Sequence, residues 1–130
     1  GEVEPFVDGD QVSYVGSVES EQRNKLLGGA FALLHPIQFE EPFGLSVIEA
    51  MACGTPVIAF RRGSMPELIE EGKTGFLVHT IEEAVEAVLK IDSIDRKNCR
   101  HWVEQHFSAD RMVEDYLQAY AQVLDKFNYK

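Results

Sequence analysis

Three short runs, FALLH at Phe31 to His35, PVIAF at Pro56 to Phe60 and GFLVH at Gly75 to His79, are apolar almost without interruption, and helix-length stretches separate them. A strand with one wet face alternates apolar and polar residues, so unbroken runs of this length belong to strands covered on both faces. Such strands lie in a sheet between two layers of helices. Strand–helix–strand units in one sheet cross over right-handed and leave the strands parallel. Val12 to Val15, closed by Gly16, reads as one more short strand. The expectation is an α/β fold, a doubly wound parallel sheet of four strands with a helical C-terminal tail.

The stretches between the strands carry helix signals. Ser20 is placed to cap a run through Ala30 whose Leu26, Leu27 and Ala30 face one side. GLSVIEAMACG is apolar nearly all round and stops at Gly54, which marks a short buried helix. RRGSMPELIEEG reads as a loop and a short helix, with Ser64 and Glu67 spaced as a cap. Thr80 and Glu83 form a capping box for a helix through about Leu89. Asp95 to His106 is a further helix, and Ser108 caps a last one with Met112, Tyr116, Leu117, Tyr120 and Leu124 at helical spacing. In sheets of this kind ligands sit at the carboxyl ends of the strands. The loops Gly16 to Ser20, Pro36 to Gly44 and Arg61 to Pro66 are therefore the ones to inspect.

Composition narrows the function. Of 130 residues 12 are basic and 22 acidic, a net charge of −10. A nucleic-acid module or a basic membrane-surface protein needs clustered cations, so neither is expected. An apolar fraction of 45% fills the core of one domain, 1–130, without staples. Cys53 and Cys99 read as buried thiols in a reducing compartment. No run approaches the roughly 20 apolar residues of a membrane span, and the N-terminus lacks a signal-peptide pattern, so a cytoplasmic location is expected. A first residue Gly1 rather than Met suggests a segment of a longer protein.

The middle loop carries the chemistry. In HPIQFEEPFGLSVIEAMACG the carboxylate of Glu41 precedes a Phe-Gly turn, and a helix then opens with exposed amides. A helix N-terminus favours a phosphate. Glu49 sits inside the apolar helix, where a carboxylate needs a fixed donor or a cavity in which a ligand supplies one. Together these are the needs of a nucleotide diphosphate. Ser46 and Glu49 also match S-x-x-E, a capping box with no ligand.

From Glu41 to Val78 the sequence resembles the donor-binding half of retaining glycosyltransferases of family 4, often called group 1, which have the GT-B fold with its Rossmann-like halves. E-x-F-G-L, E-A-M-A-x-G-x-P-V-I, G-x-x-P-E and G-x-x-G-F-L-V occur in order, with seven residues between Glu41 and Glu49. VSYVGSV and HFSADRM extend the resemblance over nearly all of Val12 to Leu124. It implies that Glu41 lies beside the donor sugar and stabilises charge at its anomeric carbon. Phe43, Gly44 and Leu45 would offer amides to sugar and phosphate, with Ser46 at the diphosphate. Glu49 would accept from the ribose hydroxyls, and Gly16 and Val18 would border the base. Retention through same-face attack would need no protein nucleophile, no cofactor and no metal. The family's diphosphate-binding Arg and Lys and its acceptor domain have no counterpart before Arg23. The resemblance thus implies a fragment, inactive alone, whose partners are a nucleotide-sugar donor, an unknown acceptor and a missing N-terminal domain.

The alternatives are a nucleotide-sugar 2-epimerase of the same fold and a non-catalytic nucleotide-binding module. Asp8 and Asp10 in D-G-D read as a turn rather than a metal site. His35 is structural or catalytic, Arg61 and Arg62 are solvated or phosphate-binding, and His79, His101 and His106 show no metal spacing.

Overall fold

In a computed structural model of the chain, which describes residue 5 and residues 7–127, the elements run α1 Ser20–Gly29, β1 Leu33–His35, α2 Leu45–Ala52, β2 Val57–Phe60, α3 Met65–Leu68, β3 Gly75–Val78, α4 Ile81–Lys90, α5 Arg96–His106 and α6 Ala109–Phe127. The three strands are parallel in the order β1-β2-β3, with Leu33 opposite Val57 and Val57 opposite Gly75. Side chains of the central strand alternate between two layers. Val57 and Ala59 join Val47, Ala50, Met51, Met65, Leu68, Cys99 and Val103 beneath α2, α3 and α5, whereas Ile58 joins Val78, Ala87 and Ile91 beneath α4. Helices thus cover both faces, as the unbroken apolar runs predict.

Several joints explain the packing. Gly54, at φ +81, ends α2 in the left-handed region where a side chain is strained. A Cβ at Gly75 would overlap the Val57 carbonyl across the ladder, so only glycine lets β3 close on β2. Thr80 Oγ1 accepts from the Glu83 amide at 3.1 Å, and the Glu83 carboxylate accepts from the His79 amide at 2.6 Å, closing the expected box at the start of α4. Asp95 and Ser108 cap α5 and α6, accepting from the Lys97 and Arg111 amides. Arg96, which the sequence does not single out, ties three segments together. Its guanidinium donates to the carbonyls of Gly28 and Ala30, both at 2.8 Å, and to Thr55 Oγ1 at 2.9 Å. The Trp102 indole N–H donates to the Leu68 carbonyl at 2.8 Å and pins α5 to α3.

Four expectations are corrected. Val12 to Val15 forms no strand; Tyr14 is 82% and Val15 57% exposed, and no described strand pairs with them. An extended segment becomes a strand only when a neighbour accepts its backbone hydrogen bonds. Ser20 is the first residue of α1 rather than its cap; Glu19 holds the cap position, and no side chain caps this end. Leu26 is 44% exposed, and no residue of α1 is buried. Cys53 is half-buried; Cys99 is fully buried, and burial pushes its thiol up to about 11. No described helix is long and apolar enough to cross a membrane.

Candidate functional site

Parallel strands deliver their following loops to one edge of the sheet, so the segment 36–44 after β1 and the segment 61–64 after β2 meet. They meet through backbone. The Ser64 amide donates to the Glu41 carbonyl at 2.8 Å, and the Gly63 amide donates to the Glu40 carboxylate. Gly63 has φ +54, and a Cβ there would stand 2.5 Å from the Glu41 nitrogen. Glycine is therefore required for this contact. Ser64 does not cap α3 as its spacing with Glu67 suggests. Its hydroxyl instead donates to the Phe43 carbonyl at 2.7 Å, which fixes the Phe43–Gly44 peptide.

Gly44 is the cap of α2, at φ +89, with room for no side chain: a Cβ would lie 2.6 Å from the Met65 methyl. Val47 and Ile48 donate to the Gly44 carbonyl at 3.1 and 3.3 Å, so the amides of Leu45 and Ser46 have no acceptor among the described residues. Those N–H groups carry the positive end of the helix dipole. Leu45 and Phe43, 66% and 51% exposed, flank them without covering the opening. Ser46 is the second residue of the helix, not its cap, so the S-x-x-E capping box does not form.

Glu49 is partly exposed rather than buried, with a side-chain exposure of 37%. It has a cationic neighbour from another element, since Arg23 Nε of α1 lies 3.4 Å from its Oε2. The Arg23 Nε–H is sheltered from solvent yet outside hydrogen-bond geometry with any acceptor among the described residues. The charges attract, and the donor is still unclosed, a state that costs about 1–3 kcal/mol while it lasts.

His35 ends β1, with its Nε2 buried and unpartnered among the described residues. Burial pushes its pKa below the ordinary 6.5, and the nearby Glu41 charge pulls it partly back, which puts the two side chains within electrostatic reach. Arg61 and Arg62 form no ion pair among the described residues and line, with Glu40 and His79, a polar hollow of about 280 Å³ at the same edge. Gly16, at φ +69 and exposed, and Val18, half-buried, lie just ahead of α1; no described hydrogen bond or ion pair joins either to the Glu41 loop or to α2.

Among the described residues no three His, Cys, Asp or Glu side chains gather as a metal site. The D-G-D segment is a turn. Asp8 Oδ1 accepts from the amides of Asp10, Gln11 and Val12 at 2.9, 2.8 and 2.7 Å, and these bonds hold its carboxyl below the usual range.

The family model described as "Glycosyl transferases group 1" matches residues 8–108. A probable sucrose-phosphate synthase of Thermosipho melanesiensis is 42% identical over 92 residues, 68% of this chain and 21% of that protein. The solved structure of sucrose-phosphate synthase from Thermosynechococcus elongatus superposes with a TM-score of 0.77 at 32% identity, covering 97% of this chain and 33% of that one. Anabaena HepE, solved in complex with UDP-glucose, superposes with a TM-score of 0.75 at 22% identity over 93% of this chain and 35% of its own, a likeness of fold alone. The chain spans between about a fifth and a third of the length of the curated relatives it matches.

Proposed function

The chain belongs to the group 1 glycosyl transferases, and from that membership we propose that it is the donor-binding segment of a retaining glycosyltransferase, taking a nucleotide-diphosphate sugar. The observation that carries this reading is the start of α2, where Gly44 opens the helix at the carboxyl edge of a parallel sheet with the Leu45 and Ser46 amides uncommitted. Two amides at the positive end of a helix suit a diphosphate, which needs several donors at once. Phe43, Gly44, Leu45 and Ser46 then contact sugar and diphosphate, Glu49 the ribose, and Gly16 and Val18 the base.

Glu41 acts at the anomeric carbon. As the bond to the leaving diphosphate stretches, positive charge grows on the sugar, and the carboxylate of Glu41, carried on a backbone clamped to the next loop, stabilises it. The leaving phosphate assists the incoming hydroxyl on the same face, so no protein nucleophile takes part. Donor binding in this scheme uses no metal. The acceptor is bound by an N-terminal domain of the whole protein, which works in the cytoplasm.

The test uses the full-length enzyme with labelled nucleotide sugars. Glu49→Ala weakens donor affinity by about 1.5–3 kcal/mol, because it removes charged hydrogen bonds present before and during reaction. Glu41→Gln lowers turnover and leaves donor affinity nearly unchanged. Unchanged turnover or unchanged affinity in the respective variant removes that role. Sugar interconversion without transfer assigns the site to an epimerase, and chelator-sensitive binding restored by Mg²⁺ overturns the metal-free scheme.

A further inference from the structure

We propose that Arg23 is a positioning residue for Glu49: reaching from α1 to α2, its guanidinium fixes the carboxylate in the orientation that receives the ribose hydroxyls, an assignment that rests on the donor-site reading above. The helix that carries Glu49 is packed into the core, since its Val47, Ala50 and Met51 are all 0% exposed. The side chain itself has several rotatable bonds and one flank open to solvent. A carboxylate that must accept from two neighbouring hydroxyls needs one rotamer, and a partner on a different element selects it.

Arg23 is placed for that task and its neighbour is not. Lys25, two residues on, pairs with Glu21 within α1 at 2.8 Å, with both side chains at least three quarters exposed. Arg23 turns the other way, and among the described residues it is the one Lys or Arg within 4 Å of Glu49. A pair formed for surface charge alone leaves its donors in water. Here the Nε–H is withheld from water, and Glu49 is the anion it faces at 3.4 Å. With Oε2 facing Arg23, Oε1 stays free for a ligand.

A plain tie between α1 and α2 is the competing explanation, and the ligand's sugar separates the two. The full-length enzyme is titrated with UDP, GDP and ADP by isothermal titration calorimetry. The nucleotide that binds tightest is then compared with its 2′,3′-dideoxy counterpart. Arg23→Ala weakens the ribonucleotide about tenfold and the dideoxy form less than about twofold, because positioning acts through hydroxyls the second ligand lacks. Arg23→Lys recovers part of the loss, and Lys25→Ala binds like wild type. Melting curves verify that each variant is folded, and Arg23→Gln replaces Arg23→Ala if the latter is not. Unchanged affinity, or an equal loss for both ligands, overturns the role of Arg23 while the donor-site reading stands. No nucleotide binding by the wild-type full-length enzyme overturns both.

Discussion

The layer beneath α2 and the two outer helices α1 and α6 draw on the same apolar residue types and end in opposite states. On α2, Val47, Ala50 and Met51 are 0% exposed, closed in by β2, α3 and α5. On the 19-residue α6 no residue is buried, and Tyr116, Leu117, Tyr120 and Leu124 stand more than half exposed along one face. An apolar stripe determines which face of a helix can be covered; burial itself depends on a second element lying opposite. The candidate site straddles this boundary. The Glu41 carbonyl is clamped by the Ser64 amide to the packed layer, whereas the partner of Glu49 comes from α1, which buries nothing.

The contrast breaks most sharply at Met51. Truncation of a fully enclosed side chain leaves a cavity, so Met51→Ala should lower unfolding free energy by about 2–5 kcal/mol in urea titrations. A loss under about 1 kcal/mol would mean that the layer is looser than its burial implies. Next in size is Arg96→Ala. It removes a cation that joins the end of α1 to Thr55, and should cost about 1.5–3 kcal/mol in the same titration. Arg96→Lys should restore only part, since an ammonium cannot span the same acceptors as a fork.

A smaller effect, readable in its pH dependence, belongs to His35. A histidine whose native pKa lies below the unfolded value near 6.5 binds its proton more readily once unfolded, so its contribution is full above that pH and lost as pH falls below it. Urea midpoints at about pH 7.5 and about pH 5.5 should therefore fall further apart in wild type than in His35→Leu. An equal fall in both would put the acid sensitivity elsewhere. The smallest change is expected on α6. Leu117→Ala, at 62% exposure, should stay within about 0.5 kcal/mol of wild type, and a larger loss would reveal cover on that face.

Legibility follows the same boundary. FALLH, PVIAF and GFLVH announce their strands because two-sided burial writes itself into consecutive residues, and Thr80 and Ser108 announce caps because a cap acts within a few positions. Val12 to Val15 misleads because its alternation states only what the segment would do beside a partner. Glu41, Gly44 and Glu49 stand out through their spacing. Ser64 and Arg96 do not, because the groups they hold lie 21 to 68 positions away, and nothing near them in the chain betrays a hydroxyl aimed at Phe43 or a guanidinium aimed at Gly28. Arg23 is equally silent, since its partner is on the next helix.

The sheet grows in one direction, each strand joining the edge made just before it in the order β1-β2-β3. A chain emerging from the ribosome can build it without reopening a finished ladder. The layer under α2 obeys a different schedule. Its lid includes Cys99 and Val103 of α5, made some fifty residues after Val47 and Met51. During synthesis α2 meets β2 and α3 soon after it is made, while the flank that α5 covers waits for a segment some fifty residues further on.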